Sequence, residues 1–200
     1  ATGLADLLIV MSFYVEDILA NKRDAHFSLA TEEDVWSYVK ETLISMIYTL
    51  NQPMRGNQSP FTNISIYDDN FLNKLSDDYI NPMTGAHVNI DIIKKLQILF
   101  IDTMNEELER TPITFPVTTA CFSKGENDEI LDPEFLQLIA HKNLKFGFIN
   151  MYIGKSSTLS SCCRLRSDIV SDYFNSFGAG STKIGSLGVC TVNYARLGFR

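Results

Sequence analysis

Hydrophobic positions along this chain follow two alternating periods. Near the start, Leu4, Leu7, Leu8, Met11, Val15, Ile18 and Leu19 recur as on one face of a helix, and Asn21-Lys22-Arg23-Asp24 ends the pattern. A second helix is predicted from Thr31, a good cap with Asp34 three residues on, through Val35, Val39, Leu43, Ile47 and Leu50. The turn Asn51-Gln52-Pro53 stops it, because proline cannot continue the hydrogen-bond ladder. Thereafter strand and helix patterns alternate. Ser59 to Tyr67 reads as a strand with Phe61, Asn63 and Ser65 on one face and Thr62, Ile64 and Ile66 on the other. Asn89 to Arg110 is helical through Ile90, Ile93, Leu96, Phe100, Met104 and Leu108. Ile113 to Phe122 returns to strand and Pro133 to Asn143 to helix. Phe146 to Ile153 is a nearly continuous apolar run, as in a strand covered on both faces, and Leu187 to Tyr194 is a further strand. This alternation predicts an α/β layer or barrel with mainly parallel strands.

Composition narrows the class. The chain has 200 residues, 45% of them hydrophobic, enough for one sizeable core and unlike a disordered segment. Its net charge of -7 argues against a broad nucleic-acid surface. Four cysteines in this length are not a disulfide framework, so a reducing cytoplasm is the expected setting. Leu7 to Val15 is too short to span a bilayer and lacks a basic flank, so neither a membrane nor a secretory signal is expected. The chain starts at Ala1 and stops soon after an apolar strand, as an excerpt of a longer protein would.

Chemistry concentrates in Ser160-Ser161-Cys162-Cys163-Arg164-Leu165-Arg166-Ser167-Asp168, where two adjacent thiols sit in a polar, basic loop after an apolar run. Sulfur beside guanidinium groups is set for reactivity, although two ordinary reduced cysteines can also be neighbours. Adjacent cysteines fit a tetrahedral metal site poorly, and no C-x-x-C or nearby histidine completes one, so no metal is expected. A thioredoxin-like pair needs two intervening residues. A hydrolytic nucleophile needs a histidine base, and His26, His87 and His141 read as surface residues. One-electron sulfur chemistry is what remains.

Two other stretches offer polar groups. Arg55 to Asn63 joins a glycine turn to amides and hydroxyls at the mouth of a strand, which suits either a ribose or phosphate site or an ordinary connection. Phe177 to Gly188 carries glycines, hydroxyls and Lys183, but it departs from G-x-x-x-x-G-K-[ST] and leads into a strand, so it is no P-loop. Asn193 is a polar residue in an apolar strand and must find partners if buried. The carboxylate pairs Glu106-Glu107 and Asp77-Asp78 read as solvated helix faces.

Four pieces in order, Gln58-Ser59-Pro60-Phe61-Thr62-Asn63, Thr114-Phe115-Pro116, Ser161-Cys162-Cys163-Arg164-Leu165 and Leu187-Gly188-Val189-Cys190-Thr191-Val192-Asn193, resemble the anaerobic, class III ribonucleoside-triphosphate reductases over nearly the whole chain. The resemblance implies a ten-stranded α/β barrel of two parallel half-barrels with a central finger loop carrying cysteine. It implies radical reduction of ribonucleoside triphosphates: a glycyl radical, installed by a radical-SAM activating enzyme, makes a cysteine thiyl that takes the ribose 3′ hydrogen. Carried over by motif, Cys163 is the thiyl candidate, Cys162 the lesser alternative, Arg164 a neighbour at the finger tip, and Asn193 a holder of substrate hydroxyls. Gln58, Ser59, Phe61, Thr62 and Asn63 would line the barrel near the substrate.

On the same resemblance, residues 1–52 form a helical dimer and effector region, 53–153 the strand and helix alternation, 154–186 the finger loop with an insertion, and 187–200 the following strand. The glycyl-radical loop, a structural zinc site and an ATP-cone would lie outside this chain, which would be inactive alone. Formate or a thioredoxin-like dithiol would be the reductant, ATP and deoxynucleotides the effectors, and a homodimer or higher homo-oligomer the assembly. Two alternatives stand beside it: a pyruvate formate-lyase-like glycyl radical acyltransferase, whose finger loop also bears neighbouring cysteines, and a non-catalytic nucleotide-binding or dimerisation module.

Overall fold

The computed structural model describes residues 2–4, 6–21, 29–53, 56, 60–76, 79–154, 158–160, 166–168 and 198. A short strand, β1 (Thr2–Leu4), leads into helix α1 (Leu7–Asn21). Leu4, which the helical spacing places in the first helix, instead pairs with Ile64 in a parallel ladder. Helix α2 (Glu32–Asn51) starts at the predicted capping box: the Thr31 side chain accepts from Asp34 N, and Asp34 accepts from Thr31 N and Oγ1. Those bonds, the hydroxyl's foremost, hold the Asp34 carboxyl below the usual carboxylate range. The helix stops at Asn51, whose side chain becomes a clamp. Its Oδ1 accepts from Thr114 N at 2.9 Å and Phe115 N at 3.1 Å, and its Nδ2 donates to Phe115 O.

Strand β2 (Thr62–Tyr67) begins later than the sequence pattern predicts, after Pro60, which has no amide hydrogen to give a ladder. It runs into α3 (Asp69–Ser76), which the sequence pattern does not delimit, and then into α4 (Ile90–Arg110), which begins one residue after the predicted start and is capped by Asn89. From α4 the buried Gln97 side chain accepts from Tyr67 N at 2.8 Å and donates to Tyr67 O at 3.0 Å, closing the end of β2 as a neighbouring strand would. Strand β3 (Val117–Ser123) starts past the residues Asn51 holds, and α5 (Pro133–Asn143) matches its predicted range. Strand β4 (Ile149–Gly154) begins after Gly147, whose φ of 63° interrupts the extended run expected from Phe146. Two short strands, β5 (Thr158–Ser160) and β6 (Arg166–Asp168), pair antiparallel.

The four long-range strands pair in the order β1-β2-β3-β4, all parallel, as the alternation predicts. Helices α1, α2, α4 and α5 cover one face of this sheet. Leu8, Val39, Leu43, Ile47, Leu96, Phe100 and Ile139 pack there on Ile64, Ile66, Ala120 and Phe122. Such burial, at about 25 cal/mol per Å² of apolar surface, is the dominant stabilising term. A second apolar cluster joins Ile9, Phe13, Tyr67, Phe71, Leu72 and Cys121 near the carboxyl ends of the strands. Two expectations fail. Met151 and Ile153 of β4 are 46% and 51% exposed, so the described residues do not cover both of its faces. Glu107 is 1% exposed, not solvated: it is held between α4 and α2, accepting from Tyr48 Oη at 2.7 Å and Arg110 at 2.8 Å.

On the helix side of the sheet, the Thr62 and Thr118 hydroxyls are buried without a hydrogen-bond partner among the described residues. An unmet buried hydroxyl costs on the order of 1–3 kcal/mol. Thr118→Val is therefore expected to raise stability by about 1 kcal/mol, read as a melting temperature roughly 2–4 °C higher.

Candidate functional site on the polar face of the sheet

Strands buried on both sides are usually apolar on both sides. Here only the helix-facing positions follow that rule. Side chains alternate along a strand, so Asn63 and Ser65 point away from Ile64 and Ile66. The parallel register then sets Ser65 beside Thr119, and Thr119 beside Asn150 of β4. Four polar residues on three adjacent strands thus share one face. Asn63, Ser65 and Thr119 are buried, while Asn150 is exposed.

These groups are linked. Thr119 Oγ1 donates to Asn63 Oδ1 at 2.8 Å, and Asn63 Nδ2 lies 3.3 Å from Ser65 Oγ. One row further toward the carboxyl ends, the register places Tyr67, Cys121 and Tyr152 side by side. Cys121 is fully buried in that row. Burial pushes the Tyr67 phenol well above its ordinary range, the neighbouring Cys121 adds to that, and a hydrogen bond with Ser65 opposes it. The face therefore offers neutral amides and hydroxyls rather than fixed charge, suited to a ligand rich in hydroxyl groups.

The carboxyl ends of the strands are tied by Asp68. Its Oδ2 accepts from Ser123 N at 2.6 Å and Ser123 Oγ at 2.5 Å, and its Oδ1 from Phe71 N at 2.9 Å in the first turn of α3. Asp68 is fully buried, with three donors and the positive end of a helix supporting its charge. Ser123 pairs in register with Gly154, and Lys124 N donates to Gly154 O at 2.9 Å. A Cβ at Gly154 would lie 2.5 Å from the Tyr152 hydroxyl, so a side chain there would have to displace the Tyr152 ring. From this root the chain enters the β5–β6 hairpin, whose first strand lies against β3 and β4. Ser160 pairs with Arg166, and residues 161–165, which include the adjacent cysteines, lie between them in sequence and outside the described residues. In open α/β sheets ligands bind outside the carboxyl ends of parallel strands, which is the end from which this hairpin leaves.

Of the residues expected at the site, Asn63 lies in the polar row and Phe61 at its amino-terminal margin, 41% exposed with its ring edge-on to Phe115 at 5.1 Å. Thr62 is on the helix side and is not brought to them. Gln58, Ser59, Cys162, Cys163, Arg164 and Asn193 lie outside the described residues, as do His26, Asp77, Asp78, the 177–188 stretch and the strand from Leu187 to Tyr194. His87 and His141 are exposed, as expected. The sequence places Ser65 on the face of Asn63, but it does not bring Thr119, Asn150, Asp68 and Ser123 to them. Alternation within each strand was visible, but which strands meet, and in what register, was not.

A family model described as anaerobic ribonucleoside-triphosphate reductase matches residues 1–200. Among solved structures, the chain is similar to the anaerobic ribonucleotide reductase from Thermotoga maritima in complex with dATP and CTP, with 27% identity and a TM-score of 0.67, covering 76% of this chain and 24% of that one. The same enzyme with citrate in the active site gives 27% identity and a TM-score of 0.65, covering 76% of this chain and 26% of that one. With dATP bound in the specificity site it gives 27% and 0.66, over 76% and 25%. The chain thus spans about a quarter of the length of these structures. No curated protein matches it by sequence.

Proposed function

Because the chain belongs to the anaerobic ribonucleoside-triphosphate reductase family, we propose that it forms part of the catalytic barrel of an enzyme reducing ribonucleoside triphosphates to deoxyribonucleoside triphosphates. The observation that carries this is the family match across all 200 residues. A sheet face lined by Asn63, Ser65 and Thr119, beside the root of a hairpin that contains Cys162 and Cys163, supports it. Such a face can hold ribose hydroxyls while keeping charged reactants away from a radical.

In this scheme Cys163 is the reacting sulfur, with Cys162 its neighbour and Arg164 beside it in the loop. A glycyl radical in another part of the full-length protein supplies the unpaired electron. As a thiyl, Cys163 takes the hydrogen atom from ribose C3′ and becomes a thiol, the 2′ hydroxyl leaves as water, and formate or a dithiol provides the two reducing electrons. Cys163 returns the hydrogen atom to C3′ and is a thiyl again. Asn63 and Asn193 hold ribose hydroxyls, Phe61, Gln58 and Ser59 border the substrate, and Thr62 packs under the helices. ATP and deoxynucleotides act as effectors, on the analogy of the dATP and CTP complex of the Thermotoga enzyme. A radical-SAM activating enzyme, a homodimer, a zinc site elsewhere in the protein and a cytoplasmic setting complete the proposal.

The test is anaerobic turnover by the full-length protein with its activating enzyme. Deoxyribonucleotide is expected from a ribonucleoside triphosphate, with no acetyl transfer from pyruvate to coenzyme A and no turnover by the 200-residue chain alone. Acetyl transfer in place of reduction would assign the radical loop to acyl chemistry, and turnover by the short chain would end its status as part of a larger site.

A further inference from the structure

Thr119 and Thr118 are consecutive residues of one strand with opposite surroundings. Both are buried, at 5% and 0% exposure. The Thr118 hydroxyl faces the helices and has no partner among the described residues, whereas the Thr119 hydroxyl faces the polar side and donates to Asn63 Oδ1 at 2.8 Å. A threonine in a strand has few accessible χ1 rotamers, so its hydroxyl is a rigid anchor. Asn63 has a broad terminal torsion and, among the described residues, meets on its nitrogen side only Ser65 Oγ, at 3.3 Å. One strong bond at the oxygen end therefore sets the amide, and the nitrogen end keeps an N–H to give to something else.

We propose that Thr119 is a positioning residue for ribonucleotide binding: it holds the Asn63 amide so that Nδ2 is presented to a ribose hydroxyl. This rests on the assignment of the polar sheet face to the substrate. Thr119 touches no reacting atom. Its effect passes through the neighbouring strand, across the Ser65–Thr119 register, and is felt on substrate binding rather than on the chemical step.

The experiment compares three variants of the full-length, activated protein by steady-state reduction of a ribonucleoside triphosphate. Thr119→Val, which keeps the shape and removes the hydroxyl, is expected to raise KM roughly tenfold with kcat within roughly threefold of the parent. Thr119→Ser, which restores the hydroxyl, should return KM to within roughly twofold of the parent. Thr118→Val, the same change one position away, should leave KM unaltered. An unchanged KM in Thr119→Val would overturn the proposal, and so would an equal rise in Thr118→Val, which would make the effect one of packing. If Thr119→Val does not fold, Asn63→Ser decides: it removes the amide that Thr119 holds, and a KM equal to the parent's would overturn the proposal. Absence of reductase turnover in the parent would instead defeat the assignment of the substrate, a failure separate from either of these.

Discussion

Replacing Cys163 by alanine is expected to abolish deoxyribonucleotide formation by the activated full-length protein, by roughly 10⁴-fold or more, with folding unaffected. The sulfur is the atom that takes and returns the C3′ hydrogen in the proposed scheme, and no other group can stand in for it. Loss of the reacting group removes the whole covalent path rather than a share of binding energy. The fold should be indifferent to the change. Among the described residues, the core clusters that stabilise the sheet draw their fully buried members from positions 8–149, before the cysteine loop begins. Product chromatography measures the first effect and a thermal melt the second. Cys162→Ala should retain most of the turnover. The reverse pattern, with Cys162→Ala inactive and Cys163→Ala active, would exchange the roles of the two thiols. Activity in both single variants would remove the loop from the chemistry.

Asp68→Ala is expected to lower stability by about 3–5 kcal/mol, the largest effect on folding of any single substitution at this site. Three hydrogen bonds to a charged acceptor disappear at once: from Ser123 N, Ser123 Oγ and Phe71 N. Ser123 and Phe71 are fully buried, so these donors have no water to turn to. Each unmet donor costs on the order of 1–3 kcal/mol, and relaxation around the new space recovers part of the sum. Asp68→Asn should fall between parent and alanine, because an amide oxygen can keep one side of the arrangement while its nitrogen meets donors on the other. Chemical denaturation measures both. A loss below about 1 kcal/mol for the alanine variant would mean that Ser123 and Phe71 find other acceptors, and that the ends of β2 and β3 are not tied through this carboxylate.

Much of the fold is legible in the sequence where the signals are local. The Thr31 and Asp34 box and the Pro133 start of α5 each depend on residues within one turn, and each stands where the pattern puts it. The misses have tertiary causes. Asp68 follows the predicted strand with no local sign of a role, yet it caps α3 with a carboxylate that also reaches across to β3. Leu4 fits the spacing of α1, but a three-residue strand there pairs with the edge of β2. Glu107 is charged and periodic with a solvated face, and only the approach of Tyr48 from another helix makes it an interior residue. For the candidate site, the polar alternation of Asn63 and Ser65 is visible in the sequence. That Thr119 answers it depends on a register between strands 56 residues apart, which no local pattern encodes.

The Asn63–Thr119 bond also has a consequence during folding, before any ligand arrives. A slip of one residue between β2 and β3 would turn every side chain of one strand to the wrong face. Ile64 and Ile66 would then meet the polar row, and Asn63 and Ser65 would be pressed into the helices without partners. A slip of two residues keeps the faces, and there apolar contacts alone discriminate weakly, since one branched side chain packs nearly as well as the next. A buried amide that finds its hydroxyl in only one alignment discriminates sharply. This pair therefore acts as an index mark for the sheet, rejecting misaligned strands while the chain is still assembling.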